Sequence, residues 1–223
     1  MSHRYQGVEG FQGLKAFVPE DTDVKSIMTF YRKLLPTDLN AYRAHLLRLS
    51  SQDRYARFCG FKTDETIADY CRGIDWRFTI MVGCFVRGEL RAVAELRTEP
   101  KVWPGEGELA VSVEKEFQGQ GFGSGVVRRI MTVSRNRSLR QVMLICMISN
   151  RRMQAIVRKF LGKLECDSGE ATGWIELPWP NQLSLMQEAL DNSAALVNGV
   201  LDQWQGKPEE GVILAGGAVP SAA

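Results

Sequence analysis

Gln118-Gly119-Gln120-Gly121-Phe122-Gly123-Ser124 is the stretch on which the reading of this chain turns. It follows a β-rich run, residues 107–113 (GELAVSV), and opens an amphipathic run to Asn136 that carries Val126, Val127, Ile130 and Val133 at helical spacing. Small residues let the backbone turn sharply and approach a ligand, while the first free N–H groups of a helix and its positive end favour a phosphate. Strand, glycine turn and helix together therefore read as an anion cradle. A dinucleotide fingerprint would add an acidic residue about 20 residues on, closing the next strand. Here that strand ends Met147-Ile148-Ser149-Asn150, with no acid, and the G-K-[ST] ending of a P-loop is also absent.

Working outward, RFTIMVGCFV (77–86) and ELRAVAELR (89–97) are β-rich runs separated by Arg87-Gly88, the pattern of an antiparallel hairpin. QVMLICMI (141–148) is almost unbroken apolar, as a central strand buried on both faces would be. WIEL (174–177) reads as a last short strand, and GLKAFV (13–18) as a first one ending at Pro19. Helices are predicted over 24–35, capped by Asp21 or Asp23, then after Pro36 with Leu39, Tyr42, Leu46 and Leu47 on one face, then over 64–72 and 153–161. Ser50 or Ser51 reads as the end of the second. The expected fold is α/β: a mixed, mostly antiparallel sheet with helices inserted between its strands. After Pro180, Asn181 can cap a long amphipathic helix with Leu183, Met186, Leu190, Ala194, Val197, Leu201 and Trp204 three or four residues apart. That helix either packs back on the domain or forms a homodimer or partner contact. Residues 205–223, rich in Gly, Pro and Ala, read as a mobile tail.

With 223 residues, 44% apolar and 24% charged, the chain can bury a sizeable core. It has no apolar run long enough for a bilayer and no signal-peptide core at its start, so a soluble cytoplasmic protein without membrane contact is expected. Five scattered cysteines without a C-x-x-C pair read as reduced thiols. The two histidines, His3 and His45, argue against a metal site and against Ser-His or Cys-His catalysis, and His45 reads as a helix-surface or packing residue. Net charge is only +2, yet ten of the 28 basic residues fall within 128–163, which holds no acidic residue; the rest carries 18 basic against 26 acidic, a balance of −8. This basic segment flanks the cradle. Aromatic residues are not interleaved with it, which argues against nucleic acid.

Gln118, Gly121 and Gly123 match the Q/R-x-x-G-x-G/A motif that follows the fourth strand of GCN5-related N-acetyltransferases (GNAT), and the order of elements around it agrees. Asn150 and Met153 stand at that family's N-x-x-A/M positions. The resemblance covers about residues 13–178, and LSSQDRYARFCGFKTDETIADYC (49–71) further resembles the acetyltransferase domain of bacterial protein lysine acetyltransferases. It implies a GNAT domain over 13–178, followed by the helix of 181–204, with the sheet splayed between its fourth and fifth strands. It also implies acetyl-CoA as cosubstrate and no metal.

In that family the backbone of Val111, Ser112 and Val113 would pair with the pantetheine arm, with an amide near Val111 polarising the thioester carbonyl. The loop Gln118, Gly119, Gln120, Gly121, Phe122, Gly123 and Ser124 would hold the pyrophosphate. Asn150 would contact the pantetheine or brace the splayed strands. Glu108 is the expected catalytic base, with Glu95 a lesser rival. The family's usual tyrosine, seven residues after the asparagine, is Val157 here, and Leu161 stands where a glycine is usual, with Gly162 one place later. The implied activity is acetyl transfer to a primary amine of a protein or peptide, such as a lysine. A small-molecule amine acetyltransferase and a non-catalytic acyl-CoA-binding or sensing module are the alternatives.

Overall fold

A computed structural model describes residues 29–98 and 105–205, with side chains through 193. Seven strands form one sheet: β1 (Thr29–Lys33), β2 (Thr79–Val86), β3 (Glu89–Thr98), β4 (Gly105–Val113), β5 (Leu139–Met147), β6 (Lys163–Asp167) and β7 (Glu170–Glu176). Their order is β1-β2-β3-β4-β5-β7-β6, and β4–β5 is the one parallel pair among the described residues. Helices α1 (Leu39–Arg48), α2 (Ser51–Phe58) and α3 (Asp64–Arg72) precede the hairpin. Helix α4 (Phe122–Asn136) makes the β4–β5 crossover, α5 (Arg151–Lys159) follows β5, and α6 (Gln182–Gln205) closes the described chain. This is the expected mixed sheet. The predicted strand at 13–18 lies outside the described residues.

Each sheet face buries its own core. Leu96, Leu109, Val142 and Leu144 pack with Val126, Val127 and Ile130 of α4 and Val157 of α5, while Met81, Phe85, Leu90 and Val93 pack with Tyr42, Leu46 and Ile67 of α1 and α3. The β2–β3 turn has Arg87 and Gly88 at φ 52° and 77°, the left-handed pair that matches strand twist in a two-residue hairpin.

The segment predicted as helix over 24–35 is corrected where it is described: Thr29–Lys33 is a strand, antiparallel to β2. Its 3.6-residue spacing loses to pairing, because Phe30 stacks on Phe85 (ring centroids 5.1 Å apart) and the backbone completes the sheet. Ser50 does not simply end α1. Its hydroxyl accepts the Asp53 N–H (3.1 Å) and so caps α2, a helix with no buried residue and hence no apolar stripe to announce it. Edge strand β6 escaped for the same reason, since almost all of it is exposed.

Asn181 caps α6 as expected, its side chain accepting the Ser184 N–H (2.8 Å) while Ser184 Oγ accepts the Asn181 N–H (3.0 Å). The helix docks by polar contacts: Lys33 pairs with Glu188, Asn136 donates to Glu188 (2.7 Å), and Arg129 faces Asp191 at 3.6 Å. Leu183, Met186 and Leu190 of the expected apolar stripe stay 75%, 61% and 59% exposed. These three residues do not pack onto the domain, and the contacts named above for the helix are polar.

Close approach of α4 to β1 depends on Gly125, where a Cβ would meet the Tyr31 ring and hydroxyl at 2.5–2.7 Å. The ring is pinned by the Arg129 guanidinium 4.0 Å above it. Gly125→Ala would gain about 1 kcal/mol in helix propensity, but overpacking at a pinned ring costs roughly 1–3 kcal/mol. The expected result is a lower thermal midpoint for Gly125→Ala and a higher one when the same change is made in a Tyr31→Ala background, both read by calorimetry.

Candidate active site

Strands β4 and β5 pair only over Gly105–Leu139 to Glu108–Met143; beyond that point they part, β4 staying with β3 and β5 with β7. The gap opens into a cleft of about 1330 Å³. That exceeds the roughly 300–1,000 Å³ of an ordinary small-ligand pocket, so there is room for a long ligand and a second reactant. Its walls include Glu108 and Leu109 to Val113 of β4 and Ile145 to Met147 of β5. The glycine turn closes one end.

Of the cradle residues named from sequence, Gln118, Gly119, Gly121, Gly123 and Ser124 line the cleft with Asn150, Arg151 and Arg152. Gly119 and Gly121 sit at φ 76° and 88°, where a Cβ would be strained although it would touch nothing. The first bond of the helix is Gly125 N–H to Gly121 O (2.9 Å), which leaves the amides of Phe122, Gly123 and Ser124 without a helical acceptor. Gln120 and Phe122 are not on the wall. Gln120 donates to Glu116 O (2.6 Å), and the Phe122 ring packs edge-on against Phe117.

Two polar residues of the motif are braces. Gln118 Nε2 donates to Val113 O and to Asp53 Oδ1, both at 2.9 Å, while its Oε1 accepts from Arg152. It ties the end of β4 to α2 and α5. Asn150 Oδ1 accepts the Met153 N–H (3.1 Å) and so caps α5.

Glu108 is exposed at the mouth of the gap, opposite Arg97 in the β3–β4 register and Met143 in the β4–β5 register. Its rival Glu95 is only 2% exposed. It accepts from Tyr42 (2.5 Å), Arg57 (2.6 Å), Tyr70 (2.7 Å) and Arg97 (2.9 Å). Burial would raise its pKa, but the Arg57 charge and these hydrogen bonds outweigh it and hold the carboxylate below its usual range. A group so stabilised as the anion is a poor proton acceptor. Burial likewise pushes the Tyr70 hydroxyl up to about 12, so it stays a donor.

Sequence reasoning passed over a second buried network beneath β4. His45, completely buried, bonds Glu114 Oε1 through Nδ1 (3.0 Å) and Ser112 Oγ through Nε2 (2.9 Å). Glu114 also accepts from Arg48 (2.8 Å) and Arg91 (2.7 Å). Burial lowers the His45 pKa against the pull of Glu114, so the ring is neutral at pH 7 and accepts the Ser112 proton. The order Ser-His-Glu is that of a nucleophile triad, but Ser112 is buried and its hydroxyl is used to anchor the strand. His45 is thus the packing residue expected. Its partners lie 67 and 69 positions away, and no local pattern signals them.

A parting parallel pair with a helix N-terminus at its end offers a free strand edge to an extended ligand and free amides to an anion. The acetyltransferase (GNAT) family model matches residues 39–162, more than half of the chain. The protein belongs to that family and is an acetyl-CoA-dependent N-acetyltransferase. A curated acetyltransferase of Pseudomonas aeruginosa is 28% identical over 127 residues, 55% of this chain and 68% of its own. Among solved structures, the GNAT domain of S. lividans PAT has a TM-score of 0.57 at 18% identity, over 66% of this chain and 89% of that one. A ribosomal L7/L12 alpha-N-protein acetyltransferase in complex with coenzyme A has a TM-score of 0.53 at 16% identity, over 67% and 94%. These two likenesses are of fold.

Glu114 is held down at about 2, against the burial that would raise it, by hydrogen bonds from His45, Arg48 and Arg91. A depressed carboxylate binds fewer protons folded than unfolded, so its stabilisation is full above about pH 4.5 and is lost as pH falls toward 2. Glu114→Gln should flatten that part of the acid-unfolding curve. At pH 7 it should cost about 2 kcal/mol, less than the roughly 3–5 of a fully buried pair, because Arg48 and Arg91 keep some contact with water. Chemical denaturation at a series of pH values checks both.

Proposed function

We propose that the cleft holds acetyl-CoA along the free edge of β4 and delivers its acetyl group to a primary amine on a protein or peptide, in the cytoplasm. The observation that carries this reading is the parting of β4 from β5 directly above the unbonded amides at the start of α4. An extended pantetheine arm fits the backbone of Val111, Ser112 and Val113 as an added strand would, and the amides of Gly119 to Ser124 suit a pyrophosphate. Arg151 and Arg152 on the wall supply positive charge near that end.

The protein's main chemical task is the proton. An amine with a pKa of about 10.4 is uncharged in roughly one molecule in 2,500 at pH 7. Glu108 takes the ammonium proton, directly or through water. The amine nitrogen then forms its bond to the acetyl carbon, the amide near Val111 supports the oxyanion, and the carbon–sulfur bond breaks as the nitrogen gives up its second proton to solvent. The thiolate leaves with a modest pKa, and solvent can protonate it. Val157, at the tyrosine position of the family resemblance, is completely buried between Gly162 and Gly173. Catalysis here rests on the base rather than on an acid from that position.

Calorimetric titration with acetyl-CoA should give micromolar binding to the parent, weakened on the order of 100-fold in Gly121→Glu by charge repulsion and a strained left-handed backbone. Equal binding to both proteins would remove the cradle. Glu108→Gln should bind acetyl-CoA as the parent does and lose roughly 10²-fold or more in kcat, with part recovered above pH 9 as the free amine becomes common. Unchanged turnover would assign the proton to another group, whereas acetyl-CoA binding without any turnover in the parent would favour the acyl-CoA-binding alternative.

A further inference from the structure

The acceptor half of the cleft carries a cation that the transfer chemistry does not use. Arg57 and Glu95 sit on its wall as a buried pair, 7% and 2% exposed at the side chain, and neutralise each other. Arg97 joins them through Nε alone, donating to Glu95 Oε1 at 2.9 Å, and its guanidinium lies 4.8 Å from the centroid of the Tyr70 ring. The cluster is therefore one positive charge in surplus. Arg97 is also half exposed on the same wall, and among the described residues neither terminal nitrogen meets an acceptor.

Arg97 and Glu108 are direct cross-strand partners on one face of the β3–β4 pair, which places their Cβ atoms about 5 Å apart. Opposite charges so placed ordinarily bridge. No ion pair joins them here, because the Glu95 bond and the Tyr70 ring hold the Arg97 fork back. What remains is an anchored guanidinium offering two parallel N–H groups beside a carboxylate without a partner among the described residues. A planar fork of that kind fits a carboxylate in bidentate fashion.

We propose that the acceptor presents a carboxylate close in space to its reactive amine, and that Arg97 binds this carboxylate while Glu108 serves the amine. Arg97 would be the specificity-determining residue. This rests on the transfer reaction proposed above, and it fits two sources of the same chemistry: a free amino acid, or a peptide lysine beside an acidic residue.

The test uses the full chain and acetyl-CoA, with thiol release as the readout. One arm compares a free amino acid with its carboxamide; the other compares a lysine peptide flanked by Glu with its Gln counterpart. In at least one arm the parent should favour the carboxylate form by roughly 10- to 100-fold in kcat/KM, mainly through KM. Arg97→Gln should bring that ratio close to one, and Arg97→Lys should leave it intermediate; comparing ratios between proteins cancels the intrinsic reactivity of each amine. Calorimetry with acetyl-CoA shows that each variant is folded. Transfer by the parent without carboxylate preference overturns the inference, as does a preference that survives in Arg97→Gln. If acetyl-CoA binds but no amine is acetylated, the transfer reading fails and this inference with it, a result distinct from unselective transfer.

Discussion

Everything functional in this molecule depends on β4 having a partner on one side for its whole length and on the other for only part of it. Between Leu109 and Val113 its β5-facing backbone groups have no strand to bond. Buried main-chain donors and acceptors need partners, so such an edge in mid-sheet persists where water or a ligand reaches it. Its position is set by what each strand does instead: β5 stays paired with β7 from Gln141 to Met147, and β4 stays paired with β3 from Gly107 to Val113. The cleft is a consequence of two good pairings that diverge.

An unpaired edge of this kind would be soft without support, and two buried charge networks stiffen it from the same face. Near its start, Arg57, Glu95 and two tyrosines lock β3 and the helices against β4's open half. At its end, Glu114 gathers His45, Arg48 and Arg91 while His45 takes hold of Ser112. Gln118 adds a third tie, joining Val113 to α2 and α5. Buried ion pairs contribute modest net stability beside an apolar core, so their effect here lies in geometry. They fix the height of β4 relative to the glycine turn, which is the spacing an extended ligand would have to match.

Much of this was legible in the sequence because it is local. The hairpin follows from Arg87-Gly88 between β-rich runs, and the cradle from three glycines between strand and helix. The failures share a cause. In α2 and β6 the exposed residues leave no apolar period, and residues 29–33 have a helical spacing that pairing with β2 overrides. Arg57, Tyr70 and Arg97 were invisible for another reason: they matter only because folding brings them to Glu95, and nothing in their neighbourhoods encodes that meeting. Glu95 itself, an acid among the apolar residues of AVAELR, was the visible half of the cluster, and its role could be read only once its partners were in place.

Those partners also explain how two acidic residues of adjacent strands come to different fates. Glu95 and Glu108 lie on the same sheet face, and both border the cleft. One is desolvated and compensated by two arginines and two tyrosines; the other is exposed and has no partner among the described residues. A proton acceptor must gain something on protonation, or at least lose little. Protonating Glu95 would strand the buried Arg57 charge, whereas Glu108 holds no hydrogen bond or ion pair among the described residues. In the proposed reaction the base is the residue the fold has left uncommitted, and the buried cluster beside it keeps Arg97, its cross-strand partner, from claiming it.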